Sequence, residues 1–225
     1  MMFLSHVLKM DTPLYGDKGN YSLDKINEIA SGCSSNSTQL TFPAHTGTHI
    51  DAPCHFDQSG DSIDQYSAEF WVCENIFIVE FEVDKEEIIT LEKLISFIEK
   101  IPESSDCLII KTGFETYRDN NKDYIFHGPG IAPEVGVWLR NNRALKMIGF
   151  DFISLSSYAH RELGREAHRA FLSKSYAGLD EDCSGPILII EDMHLASLNE
   201  RPTKIIVAPL RYQDSDGSPV TVICD

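Results

Sequence analysis

Residues 42–56 read Phe-Pro-Ala-His-Thr-Gly-Thr-His-Ile-Asp-Ala-Pro-Cys-His-Phe. Four side chains in this segment can bind a metal, and all four stand at odd positions: His45, His49, Asp51 and His55. Successive side chains of a strand point to opposite faces, so an extended backbone directs all four to one face. β-branched residues at positions 46, 48 and 50 favour a strand, and Gly47 and Pro53 disfavour a helix. We therefore predict an extended segment that presents three imidazoles and a carboxylate in a row.

This set of side chains suits a metal ion. Neutral imidazole and carboxylate are ligands that Zn²⁺ and Mn²⁺ accept. A glycine at position 47 lets a backbone, a second metal or a substrate come close. A zinc-protease helix of the His-Glu-x-x-His type is excluded, because Thr46 and not glutamate follows His45. The alternative interpretation is a polar strand face with ordinary solvated histidines.

The segment resembles a known signature. His-Thr-Gly-Thr-His-Ile-Asp-Ala-Pro-Cys-His matches the pattern His-x-Gly-Thr-His-x-Asp-x-Pro-x-His of the cyclase family of metal-dependent hydrolases. That family includes bacterial kynurenine formamidases (arylformamidases) and isatin hydrolases. The resemblance extends over nearly the whole chain and implies a single α/β domain, 1–225. Its central mixed, barrel-like β-sheet would be flanked by helices, in the swivelling β/β/α arrangement.

The resemblance also implies two further ligands in the second half of the chain. The family pairs a histidine on a helix with a glutamate that closes the next strand. A predicted helix over 162–172 contains His168, and the apolar strand 187–190 ends at Glu191. His160 is the alternative helix ligand, although it lies outside the matching Ala-His-Arg-Ala context. The connection 173–186 is longer than in the family and is expected to shape the pocket mouth or an oligomer contact.

Apolar patterning elsewhere predicts strands alternating with helices, as in an α/β domain. The predicted strands are 3–8, 76–81, 106–114, 145–152, 203–210 and 219–224. The predicted helices, besides 162–172, are 90–101 and 133–140. The run 106–114 is almost continuously apolar, which suits a strand buried on both faces.

Charge and composition exclude several classes of function. A net charge of −16 over 225 residues argues against nucleic-acid binding, which needs clustered Lys and Arg. No stretch approaches the roughly 18 apolar residues of a membrane span, and the N-terminus lacks the features of a secretion signal. We expect a cytoplasmic protein that contacts neither nucleic acid nor membrane. The six scattered cysteines are expected to be free thiols, with Cys54 pointing away from the histidine face.

Together these features predict a metal-dependent hydrolase that cleaves the C–N amide bond of a small molecule. Metal-bound hydroxide would attack, and His55 would act as general acid and base, in agreement with the resemblance. One or two divalent ions, zinc first and manganese second, would be held by five ligands: His45, His49, Asp51, His168 and Glu191. Tyr15 either flanks the substrate or packs on the core. His6, His127 and His194 are predicted to be surface or structural residues.

Two alternatives to hydrolysis stay open. A lyase or cyclase on the same metal scaffold would use His55 to move a proton at carbon. A metal-binding protein without turnover is the other alternative. The resemblance further implies a homodimer or homotetramer.

Overall fold

The structure is a computed structural model in which all 225 residues are described. It contains thirteen β-strands and four α-helices. The strands are β1 Met2–Phe3, β2 Ser22–Asn27, β3 Ser37–Thr41, β4 His49–Asp51, β5 Val72–Cys73, β6 Ile76–Glu80, β7 Ile88–Ile89, β8 Cys107–Lys111, β9 Gly130–Ile131, β10 Met147–Phe150, β11 Leu188–Glu191, β12 Ile205–Pro209 and β13 Gly217–Cys224. The helices are α1 Leu91–Ile98, α2 Asn121–Phe126, α3 Pro133–Asn142 and α4 Arg161–Leu172.

Nine strands form one mixed sheet, and the strands at its two ends follow one another in the sequence. The strand order is β5-β12-β13-β4-β11-β10-β8-β6, with β1 paired to β13. β4 is antiparallel to both of its neighbours, whereas β11, β10, β8 and β6 are parallel. The two end strands, β5 and β6, are separated only by Glu74 and Asn75, whose backbone N–H groups both donate to the Asp106 carboxylate. The prediction of a single α/β domain with a mixed, barrel-like sheet is therefore confirmed.

The inner parallel strands β8, β10 and β11 are buried on both faces, as the continuous apolar runs predict. Leu108 and Ile110 of β8 pack into one core cluster, beneath the helices. Cys107 and Ile109 of the same strand point into a second cluster, inside the curved sheet. α1 begins where the hydroxyl oxygen of Thr90 accepts a hydrogen bond from the Lys93 backbone N–H. None of the four helices is long and apolar enough to cross a membrane.

The predicted continuous strand over the histidine segment is wrong. Only His49–Asp51 is a strand, and residues 53–55 form a 3-10 turn that starts at a proline. The backbone turns at Gly47, whose φ of 61° lies in the left-handed region. A side chain there would also collide with Leu8, because its Cβ would lie 2.6 Å from a Leu8 methyl carbon. His45 and His55 therefore reach the site through turns rather than through strand periodicity.

Three further differences concern the edges of the fold. The predicted strand 3–8 is shorter, since β1 ends at Phe3. The hairpin β2–β3 and the helix α2 were not predicted. The hairpin pairs only with itself, and three of its apolar residues, Ile26, Ile29 and Leu40, are more than half exposed.

Candidate metal centre

Strand pairing assembles the centre of the site. β4 pairs with β11 so that His49 stands directly opposite Glu191. Asp51 lies two residues further along β4, on the same face as His49. His168 reaches the same point from α4, and all four side chains are buried. The Nε2 atom of His49 lies 3.5 Å from an Asp51 oxygen and 3.3 Å from a Glu191 oxygen. The Nε2 atom of His168 lies 3.4 Å from an oxygen of each carboxylate.

Backbone groups orient these side chains. The Nδ1 atom of His49 is 2.8 Å from the Gly47 carbonyl, and the Nδ1 atom of His168 is 2.8 Å from the Gly164 carbonyl. Each ring donates its Nδ1–H to that carbonyl oxygen and turns its Nε2 atom toward the carboxylates. One oxygen of Glu191 accepts a 2.6 Å hydrogen bond from the backbone N–H of Leu155. This is the arrangement of outer partners that fixes metal ligands in proteins.

His45 completes a second group of donors around the same aspartate. Its Nδ1 atom lies 2.7 Å from the Asp51 oxygen that also faces His49. The ring occupies space that a side chain at position 217 would fill, since a Cβ on Gly217 would come within 2.3 Å of the ring. Asp51 thus belongs to two groups of close donor atoms, one with His45 and His49 and one with His168 and Glu191.

The donor set fits divalent metal ions. Tetrahedral ligands at 2.0–2.2 Å from zinc lie about 3.3–3.6 Å from one another. The four imidazole-to-carboxylate distances around His49 and His168 are 3.3–3.5 Å, within that spacing. Five donors with one shared carboxylate are sufficient for two ions about 3.5–4 Å apart. The five residues predicted as ligands are therefore brought together, and the spacing of four of them, His49, Asp51, His168 and Glu191, suits a divalent metal ion.

The electrostatics of the cluster reflect two buried carboxylates facing three imidazoles. Burial disfavours the charged ring of His168, but hydrogen bonds to Asp51 and Glu191 outweigh it and raise its pKa to about 10. The pKa of His45 is likewise about 10, because the charge of Asp51 and a bond to Asp216 outweigh burial. The same contacts hold the pKa of Asp51 well below its usual range despite its burial. Without a metal, protons on the histidines supply the positive charge that the carboxylates need.

Asp216 is a site residue that the sequence analysis did not identify. One of its oxygens lies 3.0 Å from Nε2 of His45 and 3.0 Å from Nδ1 of His55. The two hydrogen bonds, first to His45 and then to His55, lower the pKa of Asp216 below its ordinary value. The sequence offered only a weak signal, an Asp-Ser-Asp-Gly turn directly before a strand, because 161 positions separate Asp216 from His55.

His55 lies at the edge of the donor cluster and faces the cavity. Its ring packs 4.0 Å from the ring of His45, measured between centroids, and it is more exposed than the buried donors. The contact between Nδ1 and Asp216 leaves Nε2 as the nitrogen that is free to act toward a bound molecule. His55, His45 and Asp216 also form a third group of close donor atoms.

The cavity over these residues has a volume of about 280 Å³. Tyr15 and Phe56 line it, and Phe56 stacks on the His168 ring at 4.5 Å. Arg161 and Arg165 also line the cavity from α4, and the Arg165 guanidinium pairs with Glu162. The hydroxyl of Tyr15 is buried and has no hydrogen-bond partner.

The remaining sequence predictions have mixed outcomes. His160 is exposed at the start of α4 and joins no donor group. The 173–186 connection contributes no side chain to the cavity. All six cysteines are free thiols, as predicted.

His6 and His194, which were predicted to be surface or structural residues, lie side by side in the structure. Both converge on Glu115, because the segment after β1 pairs with the segment after β11. His127 is exposed and pairs only with Glu86.

Comparison with solved structures supports the fold. Isatin hydrolase A from Labrenzia aggregata matches 99% of this chain and 92% of its own, with a TM-score of 0.77 and 23% identity. Isatin hydrolase A from Ralstonia solanacearum matches 99% of this chain and 90% of its own, with a TM-score of 0.74 and 19% identity. At these identities the likeness establishes the architecture alone.

Sequence relatives extend over most of the chain. Cyclase-like protein 2 of Oryza sativa subsp. japonica is 26% identical over 98% of this chain and 77% of its own length. Kynurenine formamidase of Bacillus anthracis is 28% identical over 84% of this chain and 80% of its own length. The family model Cyclase, described as "Putative cyclase", matches residues 2–157, a span that includes the whole His45–His55 segment. The chain therefore belongs to the cyclase family.

Proposed function

We propose that this protein is a metal-dependent hydrolase that cleaves the C–N amide bond of a small molecule. The observation that carries the proposal is the shared carboxylate of Asp51, which joins two donor groups beside a histidine that belongs to neither of them, His55. Relatives named kynurenine formamidase and structural neighbours named isatin hydrolase support the same class of reaction. Both names denote hydrolases of small nitrogen-containing molecules.

The five donors would hold one or two ions, and the divalent ion would supply Lewis acidity that acidifies a water and polarises a carbonyl. His49 and His168 present their Nε2 lone pairs because backbone carbonyls fix their Nδ1 atoms. Asp51 and Glu191 supply the negative charge that a cation requires. Zinc as the native ion, with manganese as the alternative, is part of this proposal.

His55 would move the proton. Asp216 fixes the Nδ1 side of the ring, so Nε2 faces the cavity and can take a proton from the attacking water. The same nitrogen would then return the proton to the departing nitrogen, which an amine leaving group of low acidity requires. Asp216 acts as a positioning residue in this scheme, since it touches His45 and His55 but does not line the cavity.

The cavity lining points to a small substrate with an aromatic part and a negative charge. About 280 Å³ accommodates only a small molecule. Phe56 and Tyr15 provide aromatic surface, and the partnerless Tyr15 hydroxyl is available to a polar group of the substrate. Arg161 and Arg165 would attract a carboxylate at the cavity wall. We include a cytoplasmic location and a homodimer or homotetramer in the proposal.

The test is hydrolysis of substituted formanilides by wild type and His55→Ala, each loaded with Zn²⁺. We expect wild type to release formate and arylamine in equal amounts, and chelation to abolish the reaction. His55→Ala should keep its metal and lose roughly 10²–10⁴ in rate, the usual size of a general acid–base contribution. The loss should shrink as electron-withdrawing substituents improve the leaving group.

Three outcomes would count against the proposal. Full activity of a protein verified to be metal-free would exclude the metal from the reaction. Loss of metal in His55→Ala, with a rate defect that ignores the leaving group, would make His55 a ligand instead. Conversion of a substrate without release of formate or amine would favour the lyase or cyclase alternative.

A further inference from the structure

A second group of metal-binding side chains lies outside the cavity. His6, Glu115 and His194 bring one nitrogen or oxygen atom each within 4.8 Å of one another. None of the three lines the cavity over Asp51. We call them the His6 cluster, and the proposed hydrolysis does not use any of them.

Backbone pairing brings the cluster together from three distant segments. Ser5 forms a β-bridge with Met193, and the His194 backbone N–H donates to the Leu4 carbonyl. These contacts place His6 and His194 side by side, with ring centroids 4.9 Å apart. Glu115 arrives from the 3-10 turn after β8.

The Glu115 carboxylate is oriented as a metal ligand would be. Its Oε1 atom accepts a 2.8 Å hydrogen bond from the Leu195 backbone N–H. Its Oε2 atom is thereby directed at both rings, 2.8 Å from Nδ1 of His194 and 3.8 Å from Nε2 of His6. These two distances bracket the roughly 3.3–3.6 Å that separates ligands around tetrahedral zinc.

The Nε2 atom of His6 lacks a partner. It is buried and makes no hydrogen bond, an arrangement that is costly for a polar atom. The nearby carboxylate of Asp192, 4.0 Å away, is already bound by Arg118 and by the hydroxyl of Tyr124. A cation held at this position would give the buried nitrogen a partner.

We propose that His6, Glu115 and His194 form a second metal site, separate from the Asp51 centre, that binds a divalent transition-metal ion such as Zn²⁺. Two imidazoles and one carboxylate are a known zinc donor set, and water would fill the fourth position beside the partly exposed His194 ring. The ion would hold three segments together: the N-terminal segment, the turn after β8 and the segment that follows Glu191. It would stabilise the folded chain, because the unfolded chain does not present the three donors together.

Counting bound ions tests the proposal. Metal-free wild type, His194→Ala and His127→Ala are each dialysed to equilibrium against Zn²⁺, and zinc per chain is measured by mass spectrometry. His194→Ala should bind one ion fewer per chain than wild type. His127→Ala is the matched control, because His127 also pairs with a glutamate but has no second histidine beside it, and it should bind as wild type does.

Glu115→Gln, which keeps the side-chain volume, should lose the same ion, and circular dichroism verifies that each variant is folded. Equal zinc content in wild type, His194→Ala and Glu115→Gln would overturn the proposal. So would an equal loss in His127→Ala, because that result would indicate nonspecific surface binding.

The result is separable from the proposed hydrolysis. In a His168→Ala background the Asp51 centre is impaired, yet adding His194→Ala should still remove one ion. His194→Ala alone should leave the rate of amide hydrolysis unchanged. Failure of hydrolysis in wild type would therefore leave the ion count at the His6 cluster fully interpretable.

Discussion

Replacing Gly217 by alanine should weaken metal binding although the residue touches no metal. A Cβ at this position would lie 2.3 Å from a ring carbon of His45, whereas ordinary contacts begin near 3.4 Å. The ring must therefore move by about 1.1 Å, the difference between those two distances. Hydrogen-bond lengths vary by only about 0.5 Å, so the contacts of His45 with Asp51 and Asp216 should both break.

The expected loss of metal affinity follows from the displacement of His45, which is one of the five donors. Changes in the residues that orient metal ligands cost about 10–100-fold in affinity, which is about 1.4 to 2.8 kcal/mol. We expect at least this loss in Gly217→Ala, measured by competition with a chromophoric chelator. Gly185→Ala is the control, because nothing lies within 4 Å of its added Cβ.

A double mutant identifies the route of the effect. If the added methyl acts by displacing His45, it should cost nothing further once that ring is absent. Gly217→Ala combined with His45→Ala should therefore bind metal as His45→Ala does. Unchanged metal affinity in Gly217→Ala, or full additivity in the double mutant, would refute the reasoning.

Three further predictions concern protonation, the cavity and assembly. His45 and His168 have folded-state pKa values of about 10, above the ordinary 6.5, so their contribution to the stability of the metal-free protein is complete below pH 6.5 and lost toward pH 10. The urea midpoint of metal-free protein should fall across that range, and a flat profile would contradict the assigned contacts. Tyr15→Phe removes a buried hydroxyl without a partner, so it should leave the thermal midpoint unchanged but raise KM; an unchanged KM would remove Tyr15 from the substrate site. The substitutions Ile26→Asp and Leu40→Asp place charges on two exposed residues of the β2–β3 hairpin and should dissociate a homo-oligomer. Light scattering measures the mass, and an unchanged mass would exclude the hairpin from the interface.

Sequence reasoning predicted the architecture wherever a pattern is local. The apolar runs that become β8, β10 and β11 bury both faces, and the helical spacing of Leu91, Leu94 and Ile98 reappears in α1. The hairpin β2–β3 was missed because its side chains are largely exposed, so no apolar pattern marks it.

Which residues form the site was more predictable from the sequence than how those residues are arranged. The four donors of the 45–55 segment do converge, but period-two alternation explains only His49 and Asp51. Gly47 adopts a left-handed turn that apolar patterning cannot reveal, and the turn brings His45 back toward Asp51. His168 and Glu191 were placed by resemblance to the family rather than by spacing.

Contacts between segments that are distant in the sequence could not be predicted from the sequence alone. Asp216 joins the site because β13 pairs with β4, which sets Gly217 opposite Asp51. His6 and His194 meet because one β-bridge joins segments that are almost the full chain apart. Without the sheet order, neither convergence has a signal in the sequence.

The most direct test of the metal centre is an anomalous difference map from crystals equilibrated with Zn²⁺ and measured at the zinc edge. The account predicts density about 2.0–2.2 Å from an Asp51 oxygen, shared with the Nε2 atoms of His49 or His168. A second peak on the other side of Asp51 would show a two-ion centre. Crystals whose solution holds zinc in excess, yet whose map shows no peak at Asp51, would contradict the account.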